Sequence, residues 1–186
     1  MNCNYFTIRE FNEIKKLVDV PDTFGIISVP GDGDCFFHSL LYSFSSTYSD
    51  ATITEKRDIV RKVRSYLADE LTEESYKKID EHTRTALEDE GGINYLKDML
   101  LKKTIEISAI GFIANIVRLN IFIISYNEED IYVTLVGGRY NSDYQSVIIY
   151  YTHNHYESVV KILDDEIQSV FDDNDEVIIK LRDKSV

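Results

Sequence analysis

Two residues of this chain have the types and neighbours that covalent catalysis needs, Cys35 and His155. Cys35 closes the run Pro30-Gly31-Asp32-Gly33-Asp34 and opens Phe36-Phe37-His38-Ser39. A β-branched, apolar approach (Ile26, Ile27, Val29) breaks at Pro30, and the two glycines permit a tight turn that larger side chains would block. Beyond Cys35, apolar residues recur at helical spacing: Phe36, Leu40 and Phe44, with Phe37 and Leu41 widening the stripe. The pattern predicts that Cys35 starts a helix, where unpaired N–H groups and the positive end of the macrodipole stabilise a thiolate. A thiol with a pKa near ~8.5 is only a few per cent ionised at neutral pH, and a helix N-terminus with a histidine lowers such values to roughly 3.5–7.5. A lone cysteine is more often a small core residue capping a helix. Here the glycine-rich lead-in, the flanking acids and a histidine downstream reverse that balance.

The partner is chosen among four histidines. His38, three residues into the same helix, reads as local packing or capping. His82 lies in a polar helical stretch and reads as a solvated face residue. His153 and His155 remain, on one strand face if alternation holds, roughly 6.5 Å apart, so that only one reaches Cys35. His155 is preferred because Glu157, two residues on, shares its face. Its carboxylate can accept the second imidazole N–H and fix the tautomer that leaves a lone pair toward sulfur. A separation of 120 positions suits a base that is neighbouring in space rather than in sequence. A zinc site built from Cys35, His153 and His155 lacks a fourth ligand at suitable spacing. No metal and no other cofactor is expected.

The totals bound the setting. With 186 residues, 44% hydrophobic and 28% charged, the chain reads as one globular domain with room for a proper core. A net charge of −13 argues against nucleic acid and anionic membranes as partners. Seven acids and no base fall in residues 164–176, a solvated acidic tail over about 164–186 that would also suit a basic peptide. The two cysteines, Cys3 and Cys35, sit in a terminus and a tight turn, which argues against a disulfide and for a reducing compartment. No apolar run approaches the ~18 residues of a membrane span, and the N-terminus has no leader-like pattern, so the expectation is a soluble cytoplasmic monomer.

The elements that must carry these residues read as follows. Thr7 and Glu10 have capping-box spacing ahead of Ile8, Phe11, Ile14, Leu17 and Val18, which predicts a first helix ended by Pro21. Residues 24–29 form the strand feeding the Cys35 loop, and 35–44 the central helix. A polar loop spans 45–51. Thr52 and Glu55 make a second capping box for a helix to about Leu71, with Ile59, Val63, Tyr66 and Leu67 inward. Weakly helical, acidic sequence fills 72–90, a short helix follows Gly91-Gly92, and 104–119 is a helix apolar on nearly every side. Strands at 120–126, 131–136 and 145–152 flank an acidic turn at 127–130. His153 and Asn154 either continue the last strand or turn into the next, and one short apolar run, 177–181, remains. Helices first and strands mostly last predict α+β, a helical lobe packed on a small, mainly antiparallel sheet.

The residues Gly31-Asp32-Gly33-Asp34-Cys35-Phe36-Phe37-His38-Ser39 resemble the nucleophile block of the ovarian-tumour (OTU) family of cysteine proteases, most like its nairovirus-type viral members. Thr104-Ile105-Glu106 with Ser108 is similar to the block opening that family's long buried helix. His155-Tyr156-Glu157 with Ser158 and Val159 is similar to its His-aromatic-acid block. The resemblance spans residues 26–163 in the family's order and places a motif-bearing core at about 24–163. It implies the papain-like OTU fold and cleavage of ubiquitin, or a ubiquitin-like modifier, from conjugates in a host cytoplasm. It also implies that Cys35, His155 and Glu157 are the catalytic set and that the amides of Asp32 and Cys35 form the oxyanion hole. Two departures stand out. Glu157 occupies a position where the family usually has Asp or Asn, and Leu101-Lys102-Lys103 replaces a Trp-Gly-containing lead-in. Glu106 reads either as a functional residue or, in preference, as a buried carboxylate bonding nearby loop amides. The competing reading is a catalytically silent ubiquitin-binding module, against which the presence of both Cys35 and His155 argues.

Overall fold

A computed structural model describes residues 7–102, 104–126, 130–164 and 166–185. Cys3 and most of the acidic turn at 127–130 lie outside the described residues. The frame is a sheet in the order β1-β2-β6-β5-β3-β4, with β7 added to the end of β6. Its strands are β1 (Ile8–Glu10), β2 (Thr23–Ile27), β3 (Leu119–Tyr126), β4 (Ile131–Leu135), β5 (Gln145–Thr152), β6 (His155–Ile162) and β7 (Ile167–Gln168). Every pairing is antiparallel except β3 with β5. The chain is α+β with a mainly antiparallel sheet, and α2 (Cys35–Phe44) has the bounds that its stripe predicts.

Both faces of the sheet are buried. On β3, Ile121 and Ile123 enter a core shared with α2, α4 (Ile53–Glu70), α7 (Gly92–Lys102) and α8 (Ile107–Val117). Phe122 and Ile124 point the other way, into a second core with α1 (Ile14–Leu17) and α9 (Glu176–Lys184). Period-2 alternation sends successive side chains to opposite faces, so a strand apolar throughout demands a layer on each. The apolar run at 177–181 belongs to that second layer. Val177, Ile178 and Leu181 are buried on one face of α9, and Phe171, fully buried, pairs with Ser146. Residues 166–184 are therefore folded onto the sheet, with Glu166, Asp172, Asp173 and Glu176 exposed on the outer side of a packed segment rather than in a solvated tail.

The N-terminal segment departs from its expected helix. Residues 8–10 pair with Ile27, Ile26 and Gly25 as an edge strand, and only four residues, Ile14–Leu17, are helical. The reason is the open edge of β2, whose backbone groups need partners that a helix could not supply. The apolar stripe is still satisfied, since Phe11, Ile14 and Val18 are buried in the second core. Gly25 permits the approach: a Cβ there would lie 2.6 Å from Ile8 Cγ2.

In α4 the capping box forms as read, with Thr52 accepting from the Glu55 amide and Glu55 accepting in return. The inward face is rotated from expectation, though. Val60, Arg64, Leu67 and Ala68 are buried, whereas Tyr66 is exposed. The expected polar loop at 45–51 contains a short helix, α3 (Ser46–Asp50), capped by Ser45. The stretch 72–90 resolves into α5 (Glu73–Lys77) and α6 (Glu81–Asp89). No helix among the described residues is long and apolar enough to cross a membrane.

Candidate active site

Three segments converge at one end of α2. The first is the loop leading to Cys35. Gly33 takes a positive φ of 87°, a conformation that strains any residue with a Cβ, and the chain then enters the helix at Cys35. Cys35 is a free thiol, 2% exposed. The loop is pinned from both sides. Arg64, reaching across from α4, donates to Asp34 Oδ1 at 2.7 Å and to the carbonyls of Met99 and Leu100 at 3.1 and 2.8 Å. Its guanidinium also lies 4.4 Å from the centre of the Phe37 ring. Asp32 is held by His38, whose Nε2 lies 3.3 Å from its carboxylate, while His38 Nδ1 pairs with the Tyr48 hydroxyl at 2.5 Å. A carboxylate can only accept, so the shared proton sits on Nε2 and Tyr48 donates to Nδ1. Burial, followed by the charges of Asp32 and Asp34, pushes the Tyr48 hydroxyl above its ordinary value and keeps it a donor. His38 is thus a strut inside the loop. Asp32 Oδ1 accepts from the Asp34 amide, and among the described residues nothing accepts from the amides of Asp32 or Cys35.

The second segment is 104–106. Tyr156 donates its hydroxyl to the Ile105 carbonyl at 3.1 Å, and a Cβ on Gly33 would stand 3.9 Å from Thr104 Oγ1. Desolvation first, and then neighbouring groups including Cys35, hold the Tyr156 hydroxyl above its ordinary range. Glu106 is exposed and accepts from the Tyr95 hydroxyl at 3.0 Å, not the buried carboxylate expected.

The third segment is β6. Its bolt to α2 is a 2.8 Å hydrogen bond between Ser158 and Ser43. A T-shaped contact between Tyr156 and Phe36, with ring centres 5.4 Å apart, adds to it. His155 opens the strand, its ring lying against Gly31: a Cβ there would be 3.9 Å from Cε1 and 4.0 Å from Nδ1. His153 is not on that face. Thr152 pairs with His155, and His153 and Asn154 form the two-residue turn between β5 and β6 at φ of 49° and 61°. Two central residues at positive φ are what a type I′ hairpin requires. His153 is exposed and bonds Thr152 Oγ1 at 2.9 Å; His82 is exposed on α6.

Glu157 is 6% exposed and two residues from His155 on the same face, yet its hydrogen bonds go elsewhere. Oε2 accepts from Arg9 Nη2 at 2.5 Å and Oε1 from Ser28 Oγ at 3.2 Å; no hydrogen bond joins Glu157 to the His155 ring. The structure therefore brings the Cys35 loop and His155 together and leaves Glu157 bonded to Arg9 and Ser28 instead of to His155. Sequence reasoning missed Arg9, Ser28 and Arg64. Arg64 left a signal, a charged residue one turn from Val60 on a buried stripe. Arg9 left none once β1 had been read as helix.

A thiol at a helix N-terminus, carried by a loop that meets an imidazole at Gly31, can add to a carbonyl carbon, and backbone amides of that loop can donate to the resulting oxyanion. Among the described residues, the grouping able to approach a metal is Asp32, Asp34 and His38, with ligand atoms within 4.8 Å of one another. Its carboxylates are already engaged by Arg64, His38 and the Asp34 amide. A cavity of about 570 Å³ lies on the far side of the loop, lined by Pro30, Asp32, His38, Tyr48 and Ile53 among others, and includes neither Cys35 nor His155.

Arg64 gives a stability prediction. Arg64→Met leaves Asp34 and two carbonyls without their buried donor, and breaking such a pair typically costs about 3–5 kcal/mol. Urea unfolding should show that loss. A variant of unchanged midpoint would mean that the loop does not depend on this strut.

No family model and no curated protein matches the chain. Among solved structures, it is similar to an ovarian-tumour (OTU) domain in complex with ubiquitin, with a TM-score of 0.57 at 16% identity over 88% of this chain and 83% of that one. The viral OTU domain protease from Farallon virus aligns with a TM-score of 0.46 at 18% identity, over 87% of this chain and 95% of that one. The chain has the fold of an OTU domain.

Proposed function

We propose that this chain is a thiol-dependent deubiquitinase, a cysteine isopeptidase that releases ubiquitin or a ubiquitin-like modifier from conjugates. The observation that carries the reading is the His155 ring seated against Gly31, in the loop that delivers Cys35 to the N-terminus of α2. The OTU fold and the blocks at 31–39, 104–108 and 155–159 support the same substrate class.

In this mechanism the Cys35 thiolate attacks the carbonyl of the modifier's C-terminal glycine. The amides of Asp32 and Cys35 donate hydrogen bonds to the oxyanion. The His155 imidazolium then gives its proton to the departing lysine amine, leaving a thioester on Cys35. Water, deprotonated by His155, attacks the thioester; the modifier leaves with a free carboxylate and the thiolate returns. The proposal covers one OTU domain acting as a monomer, in a reducing compartment where Cys35 stays a thiol.

Incubation with ubiquitin bearing an electrophilic C-terminus tests it. The expected product is a 1:1 covalent adduct at Cys35, found by peptide mass mapping. Binding without an adduct would favour the silent ubiquitin-binding module. Neither binding nor adduct, with ubiquitin and ubiquitin-like modifiers alike, would remove the proposal.

A further inference from the structure

Glu157 is a buried acid at the end of a flexible side chain, and both of its oxygens are held from outside its own strand. The sheet register explains how. Arg9 pairs with Ile26, and Ile27 with Ser158, so β1, the end of β2 and β6 bring Arg9, Ser28 and Glu157 side by side. Arg9 donates to one oxygen and Ser28 to the other. A buried carboxylate without partners would swing out to solvent. Arg9 closes that route, because its planar guanidinium donates directly to the carboxylate. Two bonds on separate oxygens also arrest the extra torsion that a glutamate has over an aspartate. Each oxygen keeps a second lone pair with which to accept from an imidazole.

We propose that Arg9 is a positioning residue of this site. With Ser28 it holds the Glu157 carboxylate on the His155 face of β6, placed to accept from the His155 ring N–H, a hydrogen bond not made in this structure, and by that bond it fixes the ring. The N-terminal edge strand is thereby part of the active centre. The inference rests on the reading of His155 as the general base.

The test uses the full chain. In hydrolysis of a ubiquitin–fluorophore conjugate, Arg9→Gln should lower kcat about 10- to 100-fold with KM within about twofold, the pattern of an interaction felt in the transition state rather than in binding. Arg9→Lys, which restores the charge, should recover most of the rate, and Ser28→Ala should lose less than Arg9→Gln. In the Glu157→Gln background Arg9→Gln should cost almost nothing more, since the two act as one unit. Arg9→Gln at or above the unaltered rate, or losses that multiply in the double variant, would overturn the inference. Imidazole 1H–15N spectra separate this from failure of the functional reading. The unaltered chain should show one His155 tautomer and Arg9→Gln a mixture, whether or not ubiquitin is cleaved; identical His155 signals in both would also overturn it.

Discussion

Cys35→Ala abolishes cleavage of a ubiquitin–fluorophore conjugate and leaves the fold in place: that is the expected result with the largest effect. The nucleophile is what splits the reaction into acylation and deacylation, and its loss removes the covalent route altogether, a fall of ~10⁴-fold or more. The side chain is buried at the first turn of α2, so the change removes one sulfur from a packed site. That costs on the order of 1 kcal/mol and shifts Tm by roughly 2–4 °C for a chain of this size. Loss of rate and retention of fold therefore separate cleanly in one variant. Cys3→Ala is the control and should change neither. Cys35→Ala that still turned over substrate at more than a few per cent of the unaltered rate would end the proposal as drawn.

The parts of the fold legible in the sequence are those fixed by local chemistry. The bounds of α2 follow from the glycine turn and the 3.6-residue stripe after it, and the start of α4 from the Thr52–Glu55 capping box. What the sequence hid depends on partners distant along the chain. Residues 8–10 carry a helical stripe and capping-box spacing, yet the open edge of β2 takes them as a strand. Tyr66 looks like a core residue, but packing against α7 turns Val60 and Arg64 inward instead, with the guanidinium satisfied by Asp34 and two carbonyls. Local apolarity alone does not show α9 covering the second sheet face, since a five-residue run fits strand or helix equally. In the site, the Cys35 loop and His155 could be singled out from residue types, whereas the bonds of Glu157 could not, because one donor stands on β1 and the other just past the end of β2.

The two histidines near the start of β6 give the second large effect. His155→Ala should cost 10²- to 10⁴-fold in kcat, the usual worth of a positioned proton carrier, while His153→Ala should cost less than about tenfold, or ~1.4 kcal/mol. The hairpin sets the contrast. With His153 and Asn154 as the two turn residues, the pair that spans the turn is Thr152 and His155, and the His155 ring comes down on Gly31. His153 points to solvent beyond the strand end, bonded to its neighbour Thr152. Its removal touches only the turn. Positive φ is tolerated less well by alanine than by histidine or asparagine, so His153→Ala should lower stability by about 0.5–1 kcal/mol and leave chemistry nearly untouched. His153→Gly relieves that strain and tells the two effects apart, since stability should return and activity should not change. A His153 variant slower than the His155 variant would mean that the hairpin slides by two residues when substrate binds, placing His153 over Gly31 in its stead.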